Sequence, residues 1–210
     1  MQQELLPLFP LQVVLFPRTP LPLHIFEDRY KEMMGEVIPS RAEFGIVLAA
    51  NDGIVNIGCT AVVEKVLKKY PDGRLDLLAG GRRRFEIHLL NEEKSYLRGE
   101  VQFFDDEDAD ETPADVSRLA LEGYDAVRRI ETGAVTDPVM DDRQLSFQLA
   151  QAIPDLDVRQ ALLNSRSEVE RMRQLAAFFP KLLVRQKHVS HLRQIAPTNG
   201  HAKPPGTSEW

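Results

Sequence analysis

The chain has little cysteine and no long uninterrupted apolar run. Cys59 is the only cysteine among 210 residues, which excludes an internal disulfide and a cysteine-based zinc cluster and fits a reducing compartment. No stretch approaches the ~20 apolar residues that a membrane helix needs. The first apolar residues are interrupted by Pro7 and Pro10 and carry no early cation, unlike a secretory signal. We therefore expect a cytoplasmic protein with no membrane segment.

Familiar cofactor and metal motifs are missing as well. The chain has no GxxxxGK[ST] phosphate loop, the glycine-rich loop that holds nucleotide phosphates. His24, Glu27 and Asp28 lie close together, but their spacing is not that of an established metal motif. We predict no cofactor and no bound metal, and we interpret these three residues as part of a structural, charged rim.

Charge is distributed unevenly along the chain. The net charge is −6, yet residues 105–164 carry five basic and fifteen acidic side chains, and residues 165–195 carry seven basic and two acidic ones. The simplest interpretation is that the acidic and basic segments partly neutralise each other in the fold. A nucleic-acid partner is the alternative, and the acidic balance of the whole chain argues against it.

The first half of the chain is typical of short strands joined by turns. Five prolines punctuate the apolar segment from Leu5 to Tyr30, which favours edge strands and rigid turns because proline cannot donate to a sheet ladder. The apolar run 44–50 predicts a strand, and Tyr70-Pro71-Asp72-Gly73 predicts a hairpin turn. Phe85, Ile87 and Leu89 alternate with polar residues as in a half-buried strand. Only residues 28–37 look helical in this half.

The second half predicts helices. The acidic run 105–111 is expected not to pack and marks a boundary. Thr112-Pro113 predicts a helix start, and one face of that helix would carry Val116, Leu119, Gly123, Val127 and Ile130, with Gly133 ending it. Three capping boxes predict further starts: Asp141 with Gln144, Asp157 with Gln160, and Ser167 with Glu170. Pro180 is expected to kink or break the last helix.

These elements together predict an α+β chain. Residues 1–110 would form a β-rich subdomain and residues 111–195 a helical bundle. Residues 196–210 have the composition of a flexible tail.

Several segments carry a resemblance to a known family: Leu5 to Tyr30, Gly58-Cys59-Thr60-Ala61, Pro71 to Arg74, Gly80 to Phe85, and Arg159 to Leu163. As a set they resemble the Lon substrate-binding (Lon N-terminal) domain, especially in short proteins where that domain stands alone. The resemblance implies a PUA-like pseudo-barrel followed by a helical bundle. It also implies a non-catalytic module that recognises polypeptides, without the ATPase and peptidase domains of Lon proteases.

Two groups of residues are candidates for binding. The first is the rim formed by His24, Glu27, Arg29 and Tyr30, where Phe26 and Tyr30 are expected to bury side by side. The second is the run Arg82-Arg83-Arg84. Strand alternation places Arg82 and Arg84 on one face, where two guanidiniums could bind a carboxylate, a phosphate or an acidic peptide. The alternative is that these arginines pair internally with Glu27, Asp28 or the acidic middle segment.

The favoured function is recognition of an unfolded or extended polypeptide, either in a groove between barrel and bundle or at a proline-limited strand edge. A chaperone or protease would be a natural partner. RNA binding is the alternative, because PUA-like barrels bind RNA elsewhere, although fold does not transfer function. A hydrolase using Cys59 with His24 or His88 is a less favoured alternative.

Overall fold

A computed structural model of the chain describes residues 5–50, 53–107, 111–130, 137–140 and 142–195. The strands in this part of the chain are β1 Leu6–Leu11, β2 Pro20–Ile25, β3 Phe44–Ala50, β4 Gly53–Lys69, β5 Leu75–Asn91 and β6 Arg98–Phe104. The helices are α1 Asp28–Ser40, α2 Ala114–Arg128, α3 Leu145–Leu149, α4 Leu156–Asn164 and α5 Glu168–Ile195. The predicted α+β class, with a β-rich half before the helices, is confirmed.

The described strands form one sheet that closes on itself. Its order is β2-β5-β4-β3-β1-β6, and β6 pairs a second time with β5. Closure is possible because β5 is long: residues 75–80 pair with β2, and residues 84–91 pair with β6. This arrangement is the predicted pseudo-barrel, with β2 attached beside it.

The hairpin between β4 and β5 forms at the predicted turn. Gly73 has a φ of 85°, a conformation that glycine adopts at little cost. The Gly73 N–H donates to the Tyr70 carbonyl over 3.0 Å, and the Tyr70 N–H donates to the Arg74 carbonyl over 2.9 Å. The turn fixes the register of the two longest strands.

Helix starts agree with the sequence prediction in part. Ser167 caps α5 as predicted, accepting the Glu170 N–H over 3.1 Å. The helix start predicted at Asp157 is wrong by two residues, because Asp155 provides the cap by accepting from two N–H groups. Pro113, rather than Thr112, precedes the first residue of α2. Asp141 and Gly133 lie outside the described residues.

Two predictions about helix geometry are corrected. Helix α5 continues through Pro180 instead of breaking there; Pro180 is exposed, and buried residues precede and follow it. The buried face of α2 overlaps the predicted one only in part: Leu119 is 48% exposed, and Ile130 lies beyond the end of the helix and is 39% exposed. The buried residues of α2 are Ala120, Gly123, Tyr124 and Val127.

The barrel and the helices share one hydrophobic core. A single cluster of buried residues contains side chains from both halves. The Phe16 ring from the segment after β1 stacks on the Phe147 ring of α3 at a centroid distance of 5.3 Å. A second, smaller cluster inside the barrel surrounds Phe85. None of the helices in the described ranges is long and apolar enough to cross a membrane.

Candidate functional site

The predicted rim begins with a polar cluster at the end of β2. His24 Nδ1 lies 2.6 Å from Asp76 Oδ1, and the Tyr70 hydroxyl donates to Asp76 Oδ2 over 2.7 Å. These hydrogen bonds from His24 and Tyr70 lower the pKa of Asp76. Phe26 stacks on His24 and is 58% exposed. The cluster presents an aromatic surface, but its hydrogen-bonding groups are largely occupied.

Glu27, Arg29 and Tyr30 have partners within the fold. Arg29 pairs with Glu27 over 2.7 Å and lies above the Tyr30 ring at 4.6 Å. Tyr30 itself is buried and contacts the Phe9 ring at a centroid distance of 4.0 Å. The expectation that Phe26 and Tyr30 bury together is therefore wrong, because β2 ends at Ile25 and Phe26 points out before α1 begins.

The three consecutive arginines do not alternate as predicted. Ala61 pairs with Gly81 and Cys59 pairs with Arg84, so the single residue Thr60 faces two residues of β5. This is a β-bulge, and the Thr60 hydroxyl accepts the Arg83 N–H over 3.0 Å. The extra residue exposes both Arg82 and Arg83 and turns Arg84 inward.

The rim and the arginines do not form one site. Asp76, the partner of His24, precedes Arg82 by six residues on β5, which corresponds to roughly 20 Å at about 3.3 Å per residue. Arg82 pairs with Glu64 over 3.4 Å. Arg83 pairs with Glu43 over 3.1 Å and covers the Phe103 ring at 3.7 Å.

Arg84 belongs to a buried ion network between barrel and helices. Its side chain is 1% exposed and donates to Asp106 over 2.7 Å and to the carbonyls of Leu163 and Ser165. Arg171 of α5 is fully buried and donates to both oxygens of Asp106 over 2.6 Å. The acidic run was expected not to pack, but Asp106 packs because two guanidiniums neutralise it.

A second carboxylate completes this network. Glu168 lies 2.7 Å from Arg171 and accepts hydrogen bonds from the hydroxyl and the N–H of Ser146. Burial would raise the pKa of Asp106, but the hydrogen bonds and charge of Arg171 outweigh it and lower that pKa to about 2. Burial raises the pKa of Glu168, against the hydrogen bonds from Ser146 and the charge of Arg171. The Nη1 and Nη2 atoms of Arg84 therefore donate to groups within the fold.

A cleft of about 690 Å³ opens at the end of the barrel beside α1. It lies among the start of β1, the C-terminal half of α1, Arg83 of β5, the β5–β6 loop and β6. The lining residues are Leu5, Leu6, Pro7, Glu36, Val37, Ser40, Ala42, Glu43, Arg83, Lys94, Tyr96, Arg98, Val101 and Phe103. Arg83 is the one sequence-predicted candidate among them.

The cleft has an apolar floor and a neutralised polar rim. Leu6, Val101 and Phe103 are its main apolar side chains, and Phe103 is 41% exposed. Lys94 lies 2.6 Å from Glu36, which also accepts the Tyr96 hydroxyl over 2.8 Å. The hydrogen bonds from Lys94 and Tyr96 lower the pKa of Glu36.

Sequence reasoning missed most of this cleft for a geometric reason. Its floor combines residues about a hundred positions apart, from β1 and β6, which become neighbours only when the barrel closes. Leu6 pairs with Gly99 in that closure. The sequence feature that could have indicated this cleft was Phe103, an aromatic residue near the end of a strand that is otherwise rich in polar residues.

Cys59 does not form the considered catalytic pair. It is fully buried, and burial raises the pKa of its thiol to about 12. His24 contacts Asp76, and His88 lies 3.1 Å from Gln102. Within the described ranges, no three His, Cys, Asp or Glu side chains are grouped to hold a metal ion.

Curated relatives of the chain are Lon proteases. It is 27% identical over 146 residues to the Lon protease of Parabacteroides distasonis, covering 66% of this chain and 18% of that protein. It is 24% identical over 168 residues to the Lon protease of Flavobacterium johnsoniae, covering 76% of this chain and 20% of that protein. The chain thus spans about a fifth of the length of these relatives.

Solved structures share the fold. A Lon N-terminal domain protein from Xanthomonas campestris is 26% identical, with a TM-score of 0.68, covering 83% of this chain and 98% of that one. The N-terminal domain of the Mycobacterium avium complex Lon protease is 15% identical, with a TM-score of 0.54, and covers 84% of this chain and 98% of that one. The family model of the ATP-dependent protease La (LON) substrate-binding domain matches residues 5–180. The chain therefore belongs to this family of Lon substrate-binding domains.

Proposed function

We propose that the chain binds extended or unfolded polypeptides in the 690 Å³ cleft at the end of the barrel. The observation that carries this proposal is the apolar lining of the cleft, in which Leu6 is buried, Val101 is partly buried and Phe103 is 41% exposed. Accessible apolar clefts bordered by polar groups are the usual form of ligand sites. The family description, a substrate-binding domain of a protease, favours a polypeptide over a small metabolite.

The proposed binding mode uses side chains more than backbone. Apolar residues of the ligand would contact Leu6, Val101 and Phe103, and the ion pairs at the rim would accept polar contacts along an extended chain. No bond is broken in this function, and none of the groups that line the cleft is assigned a catalytic step.

The two ligand positions predicted from the sequence, the contact between barrel and helices and the edge of β2, are less suited to binding a polypeptide. The contact between barrel and helices is filled by Arg84, Asp106 and Arg171. Strand β2 stands at one end of the strand order, but Pro20 and Pro22 cannot donate hydrogen bonds, so this edge offers few donors to a peptide. The cleft therefore replaces them as the favoured position.

The charges of the cleft argue for polypeptide over RNA. Lys94 pairs with Glu36, Arg83 with Glu43, and Arg98 with Glu93 over 3.1 Å. Phosphate binding releases counterions and makes affinity fall steeply with salt. We expect the affinity for an unfolded chain to change little between low and moderate salt. Tighter binding of a single-stranded RNA than of the unfolded chain, with a steep logarithmic salt slope for the RNA, would favour RNA instead.

Two phenylalanine variants test the position of the site. The probe is a fluorescently labelled, reduced and carboxymethylated protein that stays unfolded, and anisotropy gives its Kd. Phe103→Ser should weaken binding about tenfold, the effect of losing roughly 1.4 kcal/mol from a central apolar contact. Phe26→Ser is the control, since Phe26 is also an exposed phenylalanine, at 58% against 41% for Phe103, but lies at the predicted rim.

The outcome separates the two surfaces. Loss of binding in Phe26→Ser alone would move the site to the rim of His24 and Arg29. Equal binding by both variants and the parent chain would overturn the proposal. A protease or chaperone as physiological partner and a cytoplasmic location stay predictions.

A further inference from the structure

A second groove lies on the other side of α1. It has a volume of about 410 Å³ and runs between the C-terminal end of α1 and the middle of β4. Its lining residues are Val37, Ile38, Arg41, Val62, Val63, Glu64, Lys65 and Val66. Val37 also lines the larger cleft, so the end of α1 separates two neighbouring grooves.

The floor of this second groove is apolar. Ile38, Val62, Val63 and Val66 are each only partly buried, which leaves part of each side chain accessible. A register shift between Val63 and Lys65 marks a bulge in β4 at this position. Lys65 follows this bulge and lines the groove together with Arg41, Glu64, four valines and an isoleucine.

The charged residues that line the groove are two cations, Arg41 and Lys65, and one carboxylate, Glu64. Arg41 and Lys65 are exposed, and neither has an ion pair or side-chain hydrogen bond with another residue in the part of the chain that the structure describes. Glu64 lies 3.4 Å from Arg82. The larger cleft differs in this respect, because Lys94, Arg83 and Arg98 each face a carboxylate there.

We propose that this groove binds the C-terminus of a polypeptide ligand, with its last apolar side chains on the valine floor and its terminal carboxylate between Arg41 and Lys65. The inference rests on the proposed polypeptide-binding function and adds a preference for chain ends. A single anionic group attached to an apolar body matches a groove with two cations beside an apolar floor. Capture of a terminal carboxylate is a recurrent mode of peptide recognition.

Arg41 has a structural explanation that the test must separate. It follows α1 in a left-handed conformation with φ 54°, and a cation at that position also interacts favourably with the C-terminal end of a helix dipole. A purely structural Arg41 would affect thermal stability and leave the preference for a free carboxylate unchanged. The two roles therefore have different readouts.

The experiment compares two labelled twelve-residue peptides of identical sequence ending in Ala-Leu-Val. One has a free C-terminal carboxylate and the other a C-terminal amide. We expect the free acid to bind the full chain about tenfold more tightly by anisotropy. In the double variant Arg41→Gln with Lys65→Gln, the free acid should bind only as well as the amide, and amide binding should be unchanged.

A charge control distinguishes a local site from a general attraction. Lys69→Gln removes one cation from the same strand outside the groove and should leave the preference for the free acid intact. Circular dichroism melting would establish that each variant is folded. Equal binding of the acid and the amide by the parent chain would overturn the inference. An amidated peptide with an internal aspartate that binds as tightly as the free acid would also overturn it. The Phe103→Ser variant tests the proposed polypeptide binding in the larger cleft independently of this preference for a free carboxylate.

Discussion

Three consecutive arginines show how position within a fold decides the role of a side chain. Arg82 and Arg83 are exposed at the bulge and pair with Glu64 and Glu43. Exposed ion pairs contribute only ~0–1 kcal/mol. Arg84 lies in the interior, where removing one member of a buried ion network costs far more, because the carboxylate of Asp106 would keep only one of its two guanidinium partners.

Neighbouring substitutions can measure this difference. Arg84→Met should lower the free energy of unfolding by about 3 kcal/mol, since Asp106 loses one of its two guanidinium partners and the Leu163 carbonyl loses the hydrogen bond from Arg84. Arg83→Met should change it by less than about 1 kcal/mol. Urea unfolding followed by circular dichroism gives both values, and similar effects from the two variants would contradict the assigned network.

Asp106 should make the chain sensitive to acid. Its pKa is lowered from 3.8 to about 2 in the folded chain, so the ionised carboxylate stabilises the fold above pH about 4. That stabilisation, about 2 kcal/mol, is lost as the pH falls through the folded pKa. Glu168 acts oppositely, because its raised pKa favours the protonated form in the fold.

A direct titration separates these two carboxylates. Carbon-13 NMR of the side-chain carboxyl groups should give Asp106 a midpoint near 2. A midpoint at the usual value of 3.8 would mean that Arg171 does not hold this carboxylate as described.

At the scale of elements, the contact between α2 and α5 depends on one small residue. A Cβ atom added at Gly123 would lie 2.6 Å from Phe179 Cβ, so the two helices can approach closely only with glycine at this position. The helical periodicity identified Gly123 and Val127 correctly. It also placed Leu119 on the buried face, because the pattern of large apolar residues does not show where a glycine lets another helix approach.

Two glycine substitutions should have opposite effects. Gly123→Ala should destabilise the chain by about 1–3 kcal/mol through overpacking against Phe179. Gly35→Ala is the control in α1, where an added Cβ meets no atom within 4 Å, and it should stabilise by about 0.5–1 kcal/mol because alanine favours a helix. Thermal unfolding measures both, and stabilisation by Gly123→Ala would contradict the described packing.

The capping signals show how far local sequence predicts an element. Ser167 with Glu170 identified the start of α5, since that interaction lies within one turn. The same pattern at Asp157 gave a start two residues late, because Asp155 competes as a cap and accepts two N–H groups. Pro180 did not end α5, as packing of Phe179 and Leu182 holds both sides of the proline in one helix.

For the whole molecule, a shared core and a buried ion network connect the barrel to the helices. Phe16 stacks on Phe147, and Asp106 joins β5 to α5 through Arg84 and Arg171. Separating the two halves would expose buried apolar side chains of both to solvent. We therefore expect both halves to unfold together.

Cys59 offers a probe of this cooperativity. It is fully buried in the barrel, and its raised pKa further suppresses thiolate formation, so thiol labelling requires unfolding of the barrel. Pulse labelling of Cys59 across a urea gradient should give the same midpoint as the helical circular dichroism signal, most of which comes from α2, α4 and α5. Labelling at lower urea than helix loss would show that the two halves are independent.

The sequence by itself determined the class of fold and the family resemblance. Turn residues, strand alternation and capping boxes are local, and so the barrel hairpin, the β-rich first half and the helical second half could be predicted from them. Only the tertiary structure decided which arginine is buried, which face of α2 packs and where the clefts lie. These features depend on a bulge opposite Thr60, on the fit of Gly123 to Phe179, and on strands that become neighbours when the barrel closes.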